Sequence, residues 1–258
     1  VIVCHVSGGG LGHLTRLRAA LRTLRLDGPV TAVTDSPFAA DPRVTGGWRV
    51  VRPGAELPGG VREVIVDAFP AGLKGDLDPA PPPGARLTHL ARLLRWDAYA
   101  PLLPAVPPRF DRTFVLEELA PAHDAYLRRV SDEVAPLTLT DPPAEPVDVD
   151  GWLIVHSGPD AETRELVAYA LDMASAERVR PPMTLVSPVR PAGLPARVAH
   201  LDVYPACAPG PNVERVVTAA GFNAVRQFAP WRHMHRMLPF PRSLDDQFTR
   251  AARARRQP

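Results

Sequence analysis

One pattern limits how this chain can fold more than any other. Short apolar runs alternate with turns and then with amphipathic segments. In the first half the runs are residues 1–6 (VIVCHV), 30–34 (VTAVT), 48–52 (WRVVR), 63–67 (EVIVD) and 113–117 (TFVLE). After the first run, Leu14, Leu17, Leu21 and Leu24 recur at helical spacing, while Arg16, Arg18, Arg22 and Arg25 fall off that stripe. Further helices are expected over 87–95 and 122–130. Apolar strands alternating with helices read as a parallel sheet covered on both faces.

The alternation breaks once, at residues 140–150 (TDPPAEPVDVD), which are acidic, proline-rich and without an apolar period. This stretch reads as a linker. Beyond it strands are expected at 151–158, 183–187, 197–204, 213–218 and 235–240, with helices over 161–176, 222–228 and 244–255. The expected organisation is therefore α/β, with two domains, 1–143 and 144–258, facing across a cleft. A second proline-rich stretch, 76–87, reads as a loop inside the first domain. The length of 258 residues, with 45% hydrophobic residues, suffices for two small cores.

Charge and cysteine content narrow the partners. The formal net charge is +2, and Lys74 is the sole lysine, so composition points to no nucleic-acid partner. Cys4 lies in an apolar strand and Cys207 is remote from it, which suits a reducing, cytoplasmic setting without disulfides. No apolar run reaches the length of a membrane span, and no signal peptide is visible. The basic tail, 250–256, reads as a solvated helix end, with peripheral contact to an anionic membrane the lesser alternative. His233 and His235 have no third ligand at metal-binding spacing and read as a loop pair.

In open α/β sheets ligands bind beyond the carboxyl ends of strands, so residues following strands carry the chemistry. Gly8, Gly9, Gly10 and Gly12 precede or flank His13 in GGGLGH. Such glycines let the backbone approach an anion, and the helix start favours negative charge. His13 there reads as a general base or a phosphate ligand; a plain tight turn is the alternative. Asp67 closes a strand before Phe69, in VDAFPAGLKGDL, and reads as a hydroxyl contact or a turn cap. Ser157 and Gly158, in HSGPDAET, suit a phosphate, or Ser157 and Asp160 merely cap a helix. Gly221 opens a helix on which Asn223 and Gln227 share a face. Asp245, Asp246 and Gln247 cluster at the expected start of the last helix, where they suit sugar hydroxyls or the helix dipole.

Taken in order, GGGLGH, DAFPAGLKGDL, TAAGFNAVRQ and LPFPRSLDDQFTRA resemble GT-B glycosyltransferases, especially small bacterial relatives of the lipid II-forming UDP-GlcNAc transferase (MurG-like). The resemblance implies two Rossmann-like domains. It implies a nucleotide-sugar donor, a UDP-sugar, held mainly by the C-terminal domain, and an acceptor of unknown identity, lipid-linked or a small molecule. His13 and Asp67 would be catalytic, with Gly9, Gly10, Gly12 and Phe69 near acceptor and diphosphate. Ser157, Gly158, Gly221, Phe222, Asn223 and Gln227 would hold the nucleotide and its phosphates, and Asp246 and Gln247 the sugar. No cofactor and no metal are required, because helix dipoles and backbone N–H groups stabilise the leaving diphosphate.

Gln227 stands where many relatives carry a glutamate, and the chain is short for this fold. A degenerate protein that binds a nucleotide, a sugar or a partner without turnover is therefore the second reading. A nicotinamide-dependent oxidoreductase, with Asp35 as ribose contact, is the third. It fits poorly, since the dinucleotide fingerprint would need glycine at position 13.

Overall fold

The computed structural model describes residues 1–77, 81–206 and 208–256. Cys207 and part of the 76–87 stretch lie outside the described residues. The chain divides into two compact units, Val1–Pro142 with Ser243–Asp246, and Pro143–Arg242 with Gln247–Pro258.

The first unit runs β1 (Ile2–Val6), α1 (Leu11–Thr23), β2 (Val30–Val33), α2 (Pro42–Thr45), β3 (Arg49–Val51), β4 (Glu63–Asp67), β5 (Arg86–Ala91), α3 (Trp96–Tyr99), β6 (Phe110–Val115), α4 (Pro121–Val130) and β7 (Ser131–Pro136). Its seven strands are parallel, in the order β3-β2-β1-β4-β5-β6-β7. Val3, Val64, Val66, Leu87 and Phe110 enter one core cluster with Tyr126, Leu127 and Val130 of α4.

The second unit runs β8 (Gly151–Val155), α5 (Asp160–Ala176), β9 (Met183–Val186), β10 (Val198–Leu201), β11 (Val213–Ala219), α6 (Phe222–Gln227), β12 (His235–Leu238) and α7 (Gln247–Arg256). Its five strands are also parallel, in the order β10-β9-β8-β11-β12. Trp152 and Ile154 enter a cluster with Leu166 and Val167 of α5, while Leu153 between them enters another with Phe228. Side chains alternate across a strand, so the β8 strand is covered on both faces, as an apolar, non-alternating run requires.

Two expectations are corrected, and one strand had no signal in the sequence. A helix is expected over residues 87–95. They begin instead with β5, whose residues 87–91 are all buried between β4 and β6. The β7 strand, SDEVAP, has no apolar signal and is held by backbone pairing to β6. The last helix starts at Gln247, not Leu244, because Leu244 O accepts from Arg95 N (2.9 Å) and Asp245 bridges Leu94. Ser243–Asp246 thus packs with the first unit, whereas the sequence division places all of 144–258 in the second.

Candidate functional site

In each sheet the chain leaves the first strand in both directions. The strand order reverses between β1 and β4 in the first unit, and between β8 and β11 in the second. Ligands of open α/β sheets settle at the carboxyl end of such a switch point.

The first switch point holds a compact charged cluster. Parallel pairing sets Val6 beside Asp67, so the loop after β1 and the end of β4 meet. His13, on the first turn of α1, lies with Nδ1 2.7 Å from Asp67 Oδ2. Arg16, one turn further along α1, donates from Nε to Oδ1 and from Nη2 to Oδ2, both at 2.6 Å. This is a bidentate fork on a carboxylate with no exposed side-chain surface. Arg16 Nη2 also lies 3.0 Å from His13 Nδ1. One nitrogen cannot serve both partners, and the ionised carboxylate, at the shorter distance, takes the Nδ1 proton. Nε2 is then the nitrogen left to act on a ligand.

The electrostatics follow from burial. Burial alone would raise the Asp67 carboxyl, but the Arg16 charge and the His13 and Arg16 hydrogen bonds outweigh it and hold Asp67 well below the carboxylate range. For His13, burial lowers the imidazole; the Asp67 hydrogen bond opposes this and the Arg16 charge reinforces it, with a net lowering. A neutral His13 with Nδ1–H on a carboxylate is the form of imidazole that can accept a proton at Nε2.

Local backbone chemistry builds this cluster. Gly8 adopts φ +116°, and a Cβ there would sit 3.0 Å from His13 Nε2. Glycine is therefore required both for the turn and for the close pass beside the ring. After Asp67 the chain reverses sharply: Phe69 N donates to Asp67 O at 2.7 Å around Ala68, at φ 63°. A non-glycine residue there stores strain. The turn brings the Phe69 ring to stack on His13, with centroids 6.1 Å apart and planes at 25°. Arg92 covers Phe69 at 5.5 Å and is ion-paired with Asp245.

At the second switch point His156 follows β8, and α5 begins two residues past Gly158. No side chain caps α5; its N-cap is Pro159, not Ser157 or Asp160. Glu162, in the first turn, is gripped by both Nη atoms of Arg242, which follows β12. The His156 side chain is 7% exposed and its Nε2 is 3.4 Å from Glu162 Oε2. Burial would raise Glu162, yet the Arg242 contacts lower it overall. Burial lowers His156.

The remaining sequence-derived residues divide by burial. Gly9 and Gly10 are exposed in the loop after β1, and Gly12 is half-buried in α1. Gly221 is the N-cap of α6, followed by a buried Phe222, with Asn223 and Gln227 half-buried on that helix. Asp246 belongs to the segment that packs with the first unit. Gln247 is buried, and its Oε1 accepts from Phe240 N at 3.0 Å. His235 is not a loop residue: it starts β12, buried, with Nε2 2.8 Å from Thr218 Oγ1.

Sequence reasoning missed Arg16, Glu162 and Arg242. Arg16 lies off the apolar stripe of its helix, and its partner is 51 residues away. The available signal was its position three residues after His13, on the same face of α1. Among the described residues no group of three or more His, Cys, Asp or Glu could hold a metal ion, and no helix is long and apolar enough to cross a membrane.

The sequence matches no family model and no curated protein. A solved structure described as that of the glycotransferase of kitacinnamycin superposes with a TM-score of 0.51 at 15% identity, over 98% of this chain and 83% of its own. At that identity the likeness speaks for the fold alone: the chain is an α/β protein of two Rossmann-like units.

Proposed function

We propose that the protein is a glycosyltransferase that moves a sugar from a nucleotide-sugar donor to an acceptor hydroxyl. The observation that carries this reading is the His13–Asp67 pair at the carboxyl end of a parallel sheet. His13 Nε2 takes the acceptor proton, and the acceptor oxygen bonds to the anomeric carbon. The bond from that carbon to the phosphate oxygen breaks, and the nucleoside diphosphate leaves. Asp67, fully buried, is a positioning residue that fixes the His13 tautomer and steadies the imidazolium. The pairing of Nδ1 with an ionised carboxylate favours a base over a phosphate ligand for His13.

The donor is assigned to the second unit, through Ser157 and Gly158 after β8 and Gly221 to Gln227 after β11. The sequence resemblance to the MurG-like transferases supports a UDP-sugar. Backbone N–H groups at these loops would stabilise the leaving diphosphate, so the reading needs no metal. A non-catalytic binding protein is the second reading. It is favoured by Gln247, expected on the sugar but engaged by Phe240 N.

Titration calorimetry against UDP, UDP-GlcNAc, dTDP, GDP and NAD tests the assignment. Selective binding of a nucleoside diphosphate is expected. Binding of NAD alone would overturn it.

A further inference from the structure

The second switch point carries a carboxylate, a bidentate arginine and an imidazole, the same three groups that form the His13 cluster in the first unit. Their arrangement differs in what is left over. In the first unit the carboxylate has no exposed side-chain surface, whereas Glu162 keeps 16% and Arg242 31%. The pair sits on the opening turn of α5, a 17-residue helix whose start no side chain caps. A helix start attracts anions, but a bare carboxylate there would compete with an anionic ligand.

The second observation is His156. Its Nε2 is buried and faces Glu162 Oε2 at 3.4 Å, without the geometry of a hydrogen bond. A Cβ on Gly158 would fall 2.4 Å from that atom, so the ring is aimed at the loop between β8 and α5. The ring also packs against Phe240, with centroids 5.7 Å apart. The same Cβ would lie 3.1 Å from Glu162 Oε2, so the imidazole and the Glu162–Arg242 pair back the loop together at Gly158.

We propose that Arg242 masks the charge of Glu162, and that this masking lets the β8–α5 loop accept the diphosphate of a nucleotide donor. The inference rests on the function proposed above and names residues that set its donor affinity. Arg242 acts as a positioning residue through Glu162. Removing it exposes a carboxylate on the turn that the phosphates approach. Removing the carboxylate as well abolishes the repulsion.

The test is calorimetry of UDP, dTDP and GDP with the whole protein and three variants: Arg242→Met, Glu162→Gln and the double variant. The diphosphate that wild type binds best is the probe. Arg242→Met is expected to lose at least tenfold in affinity, about 1.4 kcal/mol. Glu162→Gln is expected to gain severalfold, and the double variant to recover to within threefold of wild type. Thermal melting of each variant establishes that it is folded. If the double variant stays as weak as Arg242→Met, the pair is a structural clamp and the masking inference is overturned. If Arg242→Met binds like wild type, it is overturned too. Absence of diphosphate binding by wild type itself overturns the functional reading, and the inference with it.

Discussion

Arg16 grips Asp67 at both oxygens, at 2.6 Å each, and neither side chain is more than 3% exposed. The carboxylate that orients His13 is thus itself immobilised by a buried cation. Breaking a buried pair on one side leaves an uncompensated charge, which costs about 3–5 kcal/mol. Asp67→Asn is expected to lose that much in urea unfolding. The double variant Arg16→Met/Asp67→Asn should lose less than the sum of the two single changes, because it leaves no stranded charge. Additive losses would show that the pair does not act as a unit.

The pH dependence of transfer reports on the same pair. His13 is lowered from its ordinary value of 6.5, by burial first and by Arg16 in addition. Only its neutral form accepts a proton, so activity is retained as pH falls through 6.5 and lost below it. Arg16→Met removes a cation that favours the neutral ring. The acid limb of kcat/KM should therefore move upward in that variant. A downward shift would contradict the role assigned to Arg16.

Gly8→Ala tests whether the loop is shaped for the ring. At φ +116° an added Cβ is strained whatever the space, and it also lands 3.0 Å from His13 Nε2. The backbone cost is about 1–3 kcal/mol. The larger expected effect is on transfer, with a fall in kcat of tenfold or more and little change in affinity for the nucleoside diphosphate. Unchanged kcat would place the working nitrogen elsewhere.

Acid stability depends on other buried histidines, His123 and His89 among them. His123 is wholly buried against Trp96, with ring centroids 4.3 Å apart and neither ring nitrogen hydrogen-bonded. Burial lowers it to about 3, and burial lowers His89 to about 4. Below pH 6.5 the unfolded chain takes up protons that the folded chain refuses, so stability falls as pH drops from 6.5 toward 3–4. For His89 alone the full loss is on the order of 3 kcal/mol. Urea midpoints measured from pH 7 to pH 4 should decline, and His123→Phe should flatten the decline.

The alternation of apolar runs and turns made two parallel α/β units legible, and the glycines before His13 marked the loop beside the His13–Asp67–Arg16 cluster. What escaped the sequence had physical reasons. The β5 run, buried on both faces, carries leucines at a spacing that mimics a helix, and periodicity cannot separate the two. The β7 strand is specified by its neighbour's backbone rather than its own side chains. The partnership of His13 with Asp67 was not readable, because 54 residues separate them and only the β1–β4 register joins them. Arg16 and Arg242 did not stand out, since nothing in a one-dimensional pattern marks a charge whose partner is remote. Gln247 shows the converse: a residue type suited to sugar is engaged by the backbone.

The central claim is that His13 supplies the base for glycosyl transfer, and slow donor hydrolysis measures it without a known acceptor. Wild type and His13→Ala would be incubated with UDP-GlcNAc, UDP-glucose, GDP-mannose and dTDP-glucose, and released nucleoside diphosphate followed over time. Release from one donor class by wild type, cut by about 10²–10⁴-fold in His13→Ala with diphosphate affinity preserved, is the predicted result. Equal release by both proteins, or joint loss of release and affinity, would contradict the account.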